Sequence, residues 1–310
     1  MSNSVLKLTE EMLQQLINHY QKAEINSKNP HARFTAKLPD ATITVYNSGK
    51  VMFQGAGADR ETAIWGAAER SEQTNQAKGD KLPPNFEHLS VLGSDETGTG
   101  DFFGPITVAA CFIPSHQIAL AKELGVKDSK QLTDDYMRKI APDLQASFPY
   151  SVLTLNNEKY NDVQSQGWSQ GKIKALLHNQ ALKHVLRKIA PEKPDAILID
   201  QFAERGIYYK HIAKESEIIR ENVLFSTKAE NLHVSVACAS IIARVAFLEE
   251  MDRLSATAGM TLPKGAGAIV DKTAAKILLS RGESFLRTIT KVHFANTKKA
   301  QALAAKKKNT

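Results

Sequence analysis

The sequence predicts an α/β protein in two parts: a small α+β N-terminal unit and a larger domain whose sheet carries helices on its faces. Three observations predict this. From residue 89 onward, short apolar runs alternate with long helical patterns, the arrangement of strands covered by helices. Before residue 70, helix, strand and helix patterns form a group of their own. Between them, SEQTNQAKGDKLPPNFEH at 71–88 is polar, contains glycine and two prolines, and reads as a linker. A length of 310 residues suits one large domain or two ordinary ones.

The N-terminal unit, 1–70, opens with an amphipathic helix over 9–22. Met12, Leu13, Leu16, Ile17 and Tyr20 share one face, and Thr9 is placed to cap the start. RFTAKLP and ATITVYNSGKVMFQG read as strands. Ile43 and Val45 alternate as in a half-buried strand, and Gly49 in NSGK suits a tight hairpin turn. ADRETAIWGAAER reads as a second helix.

In the larger part, LSVLGSD, PITVAACFI, YSVLTLN and DAILID read as strands. TDDYMRKIAPDLQASF reads as a helix capped by Thr133, and SQGKIKALLHNQALKHVLRKIA as a long helix with Ser169 near its start. NLHVSVACASIIARVAFLEEMDRLS begins in a loop or strand and continues as a helix. Its small residues, Ala237 to Ser240, allow another element to come close. Residues 298–310 read as a basic tail.

Hydrophobic residues make up 42% and charged residues 24%, the mix of a globular protein with a core. No apolar run approaches the ~18 residues of a membrane span, and the N-terminus has no signal-peptide pattern. A cytoplasmic protein with no membrane partner is expected. Cys111 and Cys238 sit in apolar surroundings and are expected as buried free thiols rather than a disulfide. The net charge of +7 lies wholly beyond residue 88, because 1–88 holds ten basic and ten acidic residues. A basic chain suggests a polyanionic partner.

The chemistry centres on VLGSDETGTGDFFGPITVAACF, 91–112. Asp95 and Glu96 stand together at the end of one predicted strand, and Asp200 ends another. Ligands of α/β sheets gather at the carboxyl ends of strands. A helical turn after Asp200 would bring Glu204 to the same side. Such acids with no evident basic partner are costly as bare charges. A hard divalent cation, Mg²⁺ or Mn²⁺, relieves the cost. Adjacent strand residues point to opposite faces, so the glycines after Glu96 are expected to break the strand and turn both acids to one site. The spacing G-x-G-x-x-x-G is not the dinucleotide fingerprint, and the flanking acids would repel a pyrophosphate. No dinucleotide cofactor is expected.

GSDETGTGDFFGPITVAA, KDSKQL and SVACASIIARV together resemble the motifs of the type 2 ribonucleases H. Gly98-Thr99-Gly100 in place of Gly-Arg-Gly is similar to the HIII subgroup, as are LGVKDSK, SQGKIKALLHNQA, ILIDQFAE, FSTKAE and KVHFANT. The resemblance covers 89–297. It implies a ribonuclease H-like mixed sheet flanked by helices, with a TATA-binding-protein-like substrate-binding domain before the linker.

It also implies the function: an endonuclease that hydrolyses the RNA strand of RNA/DNA hybrids with metal-ion assistance, leaving 5′-phosphate and 3′-hydroxyl ends. Asp95, Glu96, Asp200 and Glu204 match the family's metal-binding and catalytic acids. The HII family's fourth acid, on a helix, falls here on Leu248. Glu249 lies about 100° further round that helix, and the HIII pattern favours Glu204. Gly98, Thr99 and Gly100 are the expected readers of the 2′-hydroxyl, with Lys127, Ser129 and Lys130 on phosphates near the cut. Thr99 cannot make the phosphate contact of an arginine, so more of the grip is expected from the N-terminal unit, where Lys37, Tyr46 and Lys50 are candidates. His233 and His293 are expected to be structural, and the protein a monomer. The competing reading is a non-catalytic nucleic-acid-binding protein whose acids are turn residues.

Overall fold

The side-chain oxygen of Thr9 accepts from the Met12 N–H and caps helix α1 (Glu10–Tyr20) as its sequence predicts. A computed structural model of the chain describes residues 3–27, 29, 31–65, 79–126 and 132–308. It divides into two compact units, Met1–Gln76 and Ala77–Thr310.

In the first unit, α1 lays Leu13, Leu16 and Tyr20 onto Phe34, Ala36, Ile43, Val45, Val51 and Phe53. These residues come from β2 (Ala32–Lys37), β3 (Thr42–Tyr46) and β4 (Lys50–Gln54). Gly49 turns the β3–β4 hairpin at a φ of 78°, where glycine meets no Cβ penalty. Sequence reading misses β1 (Asn3–Lys7), which pairs with β4 at the sheet edge and completes the antiparallel order β1-β4-β3-β2. Helix α2 (Ala58–Trp65) follows, and the remainder of the predicted helix, 66–70, lies outside the described residues. Strand alternation sets Thr42, Thr44 and Tyr46 on the face away from α1. Paired strands bring Lys37, Lys50 and Met52 to that same face.

In the second unit the sheet order is β7-β6-β5-β8-β9. β5 (Val91–Thr97), β6 (Ile106–Ile113) and β7 (Tyr150–Leu155) are antiparallel. β8 (Ala196–Asp200) and β9 (Val223–Ser226) run parallel to β5. Eight α-helices complete the described part of this unit: α3 (Ile118–Glu123), α4 (Asp134–Ser147), α5 (Asn157–Ser165), α6 (Gln170–Ile189), α7 (Arg205–His211), α8 (Val234–Ala258), α9 (Ala268–Ile289) and α10 (Ala295–Lys308). Thr133 and Ser169 cap α4 and α6 as their sequences predict.

The sheet separates two cores. Leu92, Val108, Ile197 and Ile199 pack under α6 with Ala181, Leu182 and Val185. On the other face, Ala109 and Cys111 pack under α8 and α4 with Ala239, Ile242 and Leu144. Cys111 and Cys238 are free, buried and 3.3 Å apart at sulfur. Among the described residues, no helix is long and apolar enough to cross a membrane.

Two readings change. Residues 79–88, read as linker, are docked on the second unit. Gly79 bridges to Ser226, and Asp80 accepts from the Phe225 N–H at 2.8 Å and from Arg205 at 2.5 Å. Phe86 is buried. Residues 71–78 lie outside the described residues. The basic tail is helical, because Ala300 and Ala304 give α10 an apolar edge that buries against α9. A run of lysines hides that edge from a reading of charge alone.

Candidate active site

Alternation along β5 decides where its acids go. Leu92, Ser94 and Glu96 face α6, while Val91, Gly93 and Asp95 face α8. The strand does not break between the two acids. β5 keeps its register with β6 through Asp95↔Ala109, Glu96↔Val108 and Thr97↔Thr107. Adjacent acids on an unbroken strand therefore point to opposite faces. The break comes two residues later, at Gly98. There φ is 92°, and a Cβ would stand 2.2 Å from the Pro105 carbonyl oxygen.

Asp95 is drawn against the sheet. Its Oδ1 accepts from the Glu96 N–H at 2.7 Å, and Ser240 of α8 donates to the same carboxyl. Asp200 ends β8 and lies on the α8 face too, because Ala196 and Leu198 of its strand pack there. Its Oδ1 accepts from the Ala229 N–H at 2.9 Å. Burial pushes Asp95 well above the usual carboxylate range, and the charges of Asp200 and Glu96 push the same way. Asp200 is raised too, first by burial and then by Glu96 and Glu230, against the Ala229 hydrogen bond. The two carboxyls thus form an electrostatically unfavourable pair at the carboxyl ends of adjacent parallel strands.

Glu96 behaves oppositely. The expectation of acids with no evident basic partner fails here, because α6 supplies two. Lys174 donates to Oε1 at 2.7 Å and His178 stands 2.9 Å from Oε2. Burial would raise Glu96, but His178 and Lys174 outweigh it and hold the carboxyl below its ordinary value. His178 is wholly buried and is steadied by Ser94 Oγ, 2.9 Å from its Nδ1. Sequence reading passes over both residues. The only signal is their spacing: Lys174 and His178 are four apart in a predicted helix and so share a face.

Glu204 is exposed at the entrance to α7. The turn of helix expected between it and Asp200 is absent: residues 201–204 form a bend, and the helix starts at Arg205. Leu248 is buried with Phe102, Phe103 and Met251, an apolar position in the core of α8, and Glu249 beside it is exposed.

The glycine loop is fixed from the C-terminal side. Lys291, in KVHFANT, is fully buried, and its Nζ donates to the carbonyls of Asp101 at 2.8 Å, Gly104 at 2.6 Å and Pro105 at 3.2 Å. Phe102 N–H donates to the Gly265 carbonyl at 2.9 Å. The Thr99 carbonyl accepts from Gln170 at 3.0 Å. At Gly100 an added Cβ would meet nothing within 4 Å, so this end of the loop is open to a ligand. Lys127, Ser129 and Lys130 lie outside the described residues. His233 is structural, as expected. It caps α8 and is buried beside Phe86, and burial pulls it down to about 4.

Among the described residues, no three Asp, Glu, His or Cys side chains already form a cluster able to hold a metal. Glu96 is engaged with Lys174 and His178 instead. The chemistry of the donors still fits a divalent cation. They are carboxylate oxygens, and Asp95 and Asp200 repel each other at a position where a hard cation would turn that repulsion into binding.

A model of the ribonuclease HII family matches residues 92–297, and a domain of unknown function matches 3–78. Ribonuclease HIII of Lysinibacillus sphaericus is 58% identical, with 98% of this chain and all of the relative covered. Ribonuclease HIII of Bacillus subtilis is 53% identical over the full length of both chains. The crystal structure of Bst-RNase HIII in complex with Mn²⁺ matches with a TM-score of 0.71 at 48% identity, covering 98% of this chain and all of that one.

Proposed function

This chain belongs to the ribonuclease HIII family, a group of hybrid-cutting endonucleases, and on that premise we propose that Asp95, Glu96, Asp200 and Glu204 hold its divalent cations. The observation that carries the proposal is the crowding of Asp95 and Asp200, two carboxyls raised first by burial and then by neighbouring carboxylates, Asp200 and Glu96 acting on Asp95, and Glu96 and Glu230 on Asp200. A protein has no folding reason to bury like charges at adjacent strand ends. A binding site for a cation is a reason.

A bound divalent cation supplies Lewis acidity and charge neutralisation at the scissile phosphate. The protein's own residues supply position. The Glu96 N–H and Ser240 fix one edge of Asp95, and the Ala229 N–H fixes Asp200. Glu204 stands exposed, free to approach from the α7 side. Mg²⁺ and Mn²⁺ both suit oxygen donors of this kind.

The scissile strand is RNA, so the site must read a 2′-hydroxyl. Gly98 shapes the turn, and the backbone of Thr99 and Gly100 presents itself to the ribose. Lys127, Ser129 and Lys130 grip phosphates beside the cut. On the N-terminal unit, the sheet face bearing Lys37, Tyr46 and Lys50 holds the backbone of the same hybrid. The enzyme is read as a monomer and as cytoplasmic, and two free buried thiols support the reducing compartment.

The test is cleavage of an end-labelled RNA/DNA hybrid in Mg²⁺, Mn²⁺ or EDTA by the wild type and Asp95→Asn. Metal-dependent cutting of the RNA strand is expected of the wild type only, with hybrid binding kept in the variant. A variant that cuts as well as the wild type would remove Asp95 from the site.

A further inference from the structure

We infer that Lys174 is a built-in counter-ion that competes with the divalent cation for Glu96, so that metal enters the site by displacing an ammonium. The inference rests on the metal-site reading above.

Both oxygens of Glu96 are occupied from α6. Lys174 Nζ is 2.7 Å from Oε1 and His178 Nε2 is 2.9 Å from Oε2. The pair is shielded, with the side chains of Lys174 and Glu96 only 13% and 10% exposed. The two partners are not equivalent. His178 is locked by burial and by Ser94 on its far nitrogen. Lys174 is the end of a flexible stem, and its ammonium has a second resting place. It lies 4.2 Å from the centre of the Phe202 ring, a cation–π contact that does not involve the carboxylate. Phe202 belongs to the bend between Asp200 and Glu204 and also stacks against His178 at 5.1 Å.

A counter-ion here has a clear physical use. The charge of Glu96 burdens both Asp95 and Asp200, and that of Asp200 adds to the burden on Asp95. Before metal arrives, the ammonium offsets part of that charge. A divalent cation offsets it better, but it needs an oxygen that Lys174 already holds. Two cations competing for one carboxylate are linked, and each lowers the apparent affinity of the other. His178 meanwhile keeps Glu96 in place, so the acid is oriented when the ammonium leaves.

The experiment is calorimetric titration of the metal-free, full-length protein with Mn²⁺, for the wild type, Lys174→Met and Lys174→Arg, with melting curves in EDTA and in Mn²⁺. Lys174→Met should bind Mn²⁺ roughly tenfold more tightly, within the usual size of such a coupling. It should melt lower than the wild type in EDTA and gain more from Mn²⁺. Lys174→Arg keeps the charge and should bind nearly as the wild type does. If Lys174→Met does not melt cooperatively, Lys174→Gln makes the same comparison. Equal or weaker Mn²⁺ binding in the neutral variant, with binding intact in the wild type, would overturn the inference and leave the metal-site reading standing. No Mn²⁺ binding in any of the proteins would overturn both.

Discussion

Asp95 and Glu96 are neighbours in the chain but lie on opposite faces of one unbroken strand. Asp95 turns to Ser240 of α8 and Glu96 to Lys174 and His178 of α6. Opposite environments give opposite electrostatics: Asp95 is raised and Glu96 lowered. The two acids near the end of β5 are therefore answered from both faces of the sheet rather than from one.

The choice of fourth acid separates cleanly by mutation. Glu204→Gln should lower kcat for hybrid cleavage by about a hundredfold or more, the usual loss when one charge-stabilising group leaves an active site. Glu249→Gln should leave kcat unchanged, since Glu249 is exposed on α8 beside the buried Leu248. Single-turnover rates measure both, and the reverse ranking would move the fourth ligand to α8.

The two glycines of the loop should fail differently. Gly98→Ala forces a Cβ to within 2.2 Å of the Pro105 carbonyl at a φ of 92°. It should cost about 2 kcal/mol of stability or more. Gly100→Ala meets no neighbour and should melt like the wild type. Its KM for hybrid should rise by roughly fivefold, about the worth of one hydrogen bond. Melting curves set beside KM values separate a folding role from a substrate role.

Removing the N-terminal unit should stop at residue 76, because Gly79 and Asp80 are paired to the second unit. The truncated chain should melt cooperatively and bind Mn²⁺ as before. Its hybrid affinity by fluorescence anisotropy should fall on the order of tenfold or more, as expected when one of two linked contacts is lost. Unchanged affinity would leave the Lys37, Tyr46 and Lys50 face without a role in the grip.

Asp134 gives a pH signature away from the active site. Arg244 hydrogen-bonds to it, burial opposes, and Lys264 adds a second cation, holding its carboxyl down at about 2. A folded value below the ordinary one means that the unfolded chain takes up the proton first as pH falls. The stabilisation is present above about pH 4 and is lost between there and about pH 2. Asp134→Asn should cost about 1 kcal/mol at neutral pH, after allowance for partial solvent screening. Urea midpoints of the two proteins should converge as pH falls through that window.

Much of this protein was legible before any coordinates. Thr9, Thr133 and Ser169 marked their helices because capping is local chemistry, complete within four residues. Asp95 and Asp200 stood out as candidates because each closes an apolar run in the sequence. The motif spacing pointed to the family, which full-length relatives at 58% and 53% identity then showed.

What stayed hidden depends on contacts distant in sequence. Strand β1 is an edge whose partner, β4, lies more than forty residues away. The partners of Glu96 come from a helix nearly eighty residues downstream. Lys291 reaches back about 190 residues to hold the loop at Asp101, an arrangement no local pattern signals. The sequence by itself determined the family, the helix starts and the candidate acids that close two apolar runs, because caps, periodicity and motif spacing act over a few residues. Only the tertiary structure decided the face each acid takes and the charge that answers it. Strand alternation fixes the face only once register is known, and ion pairing follows from which helix covers that face.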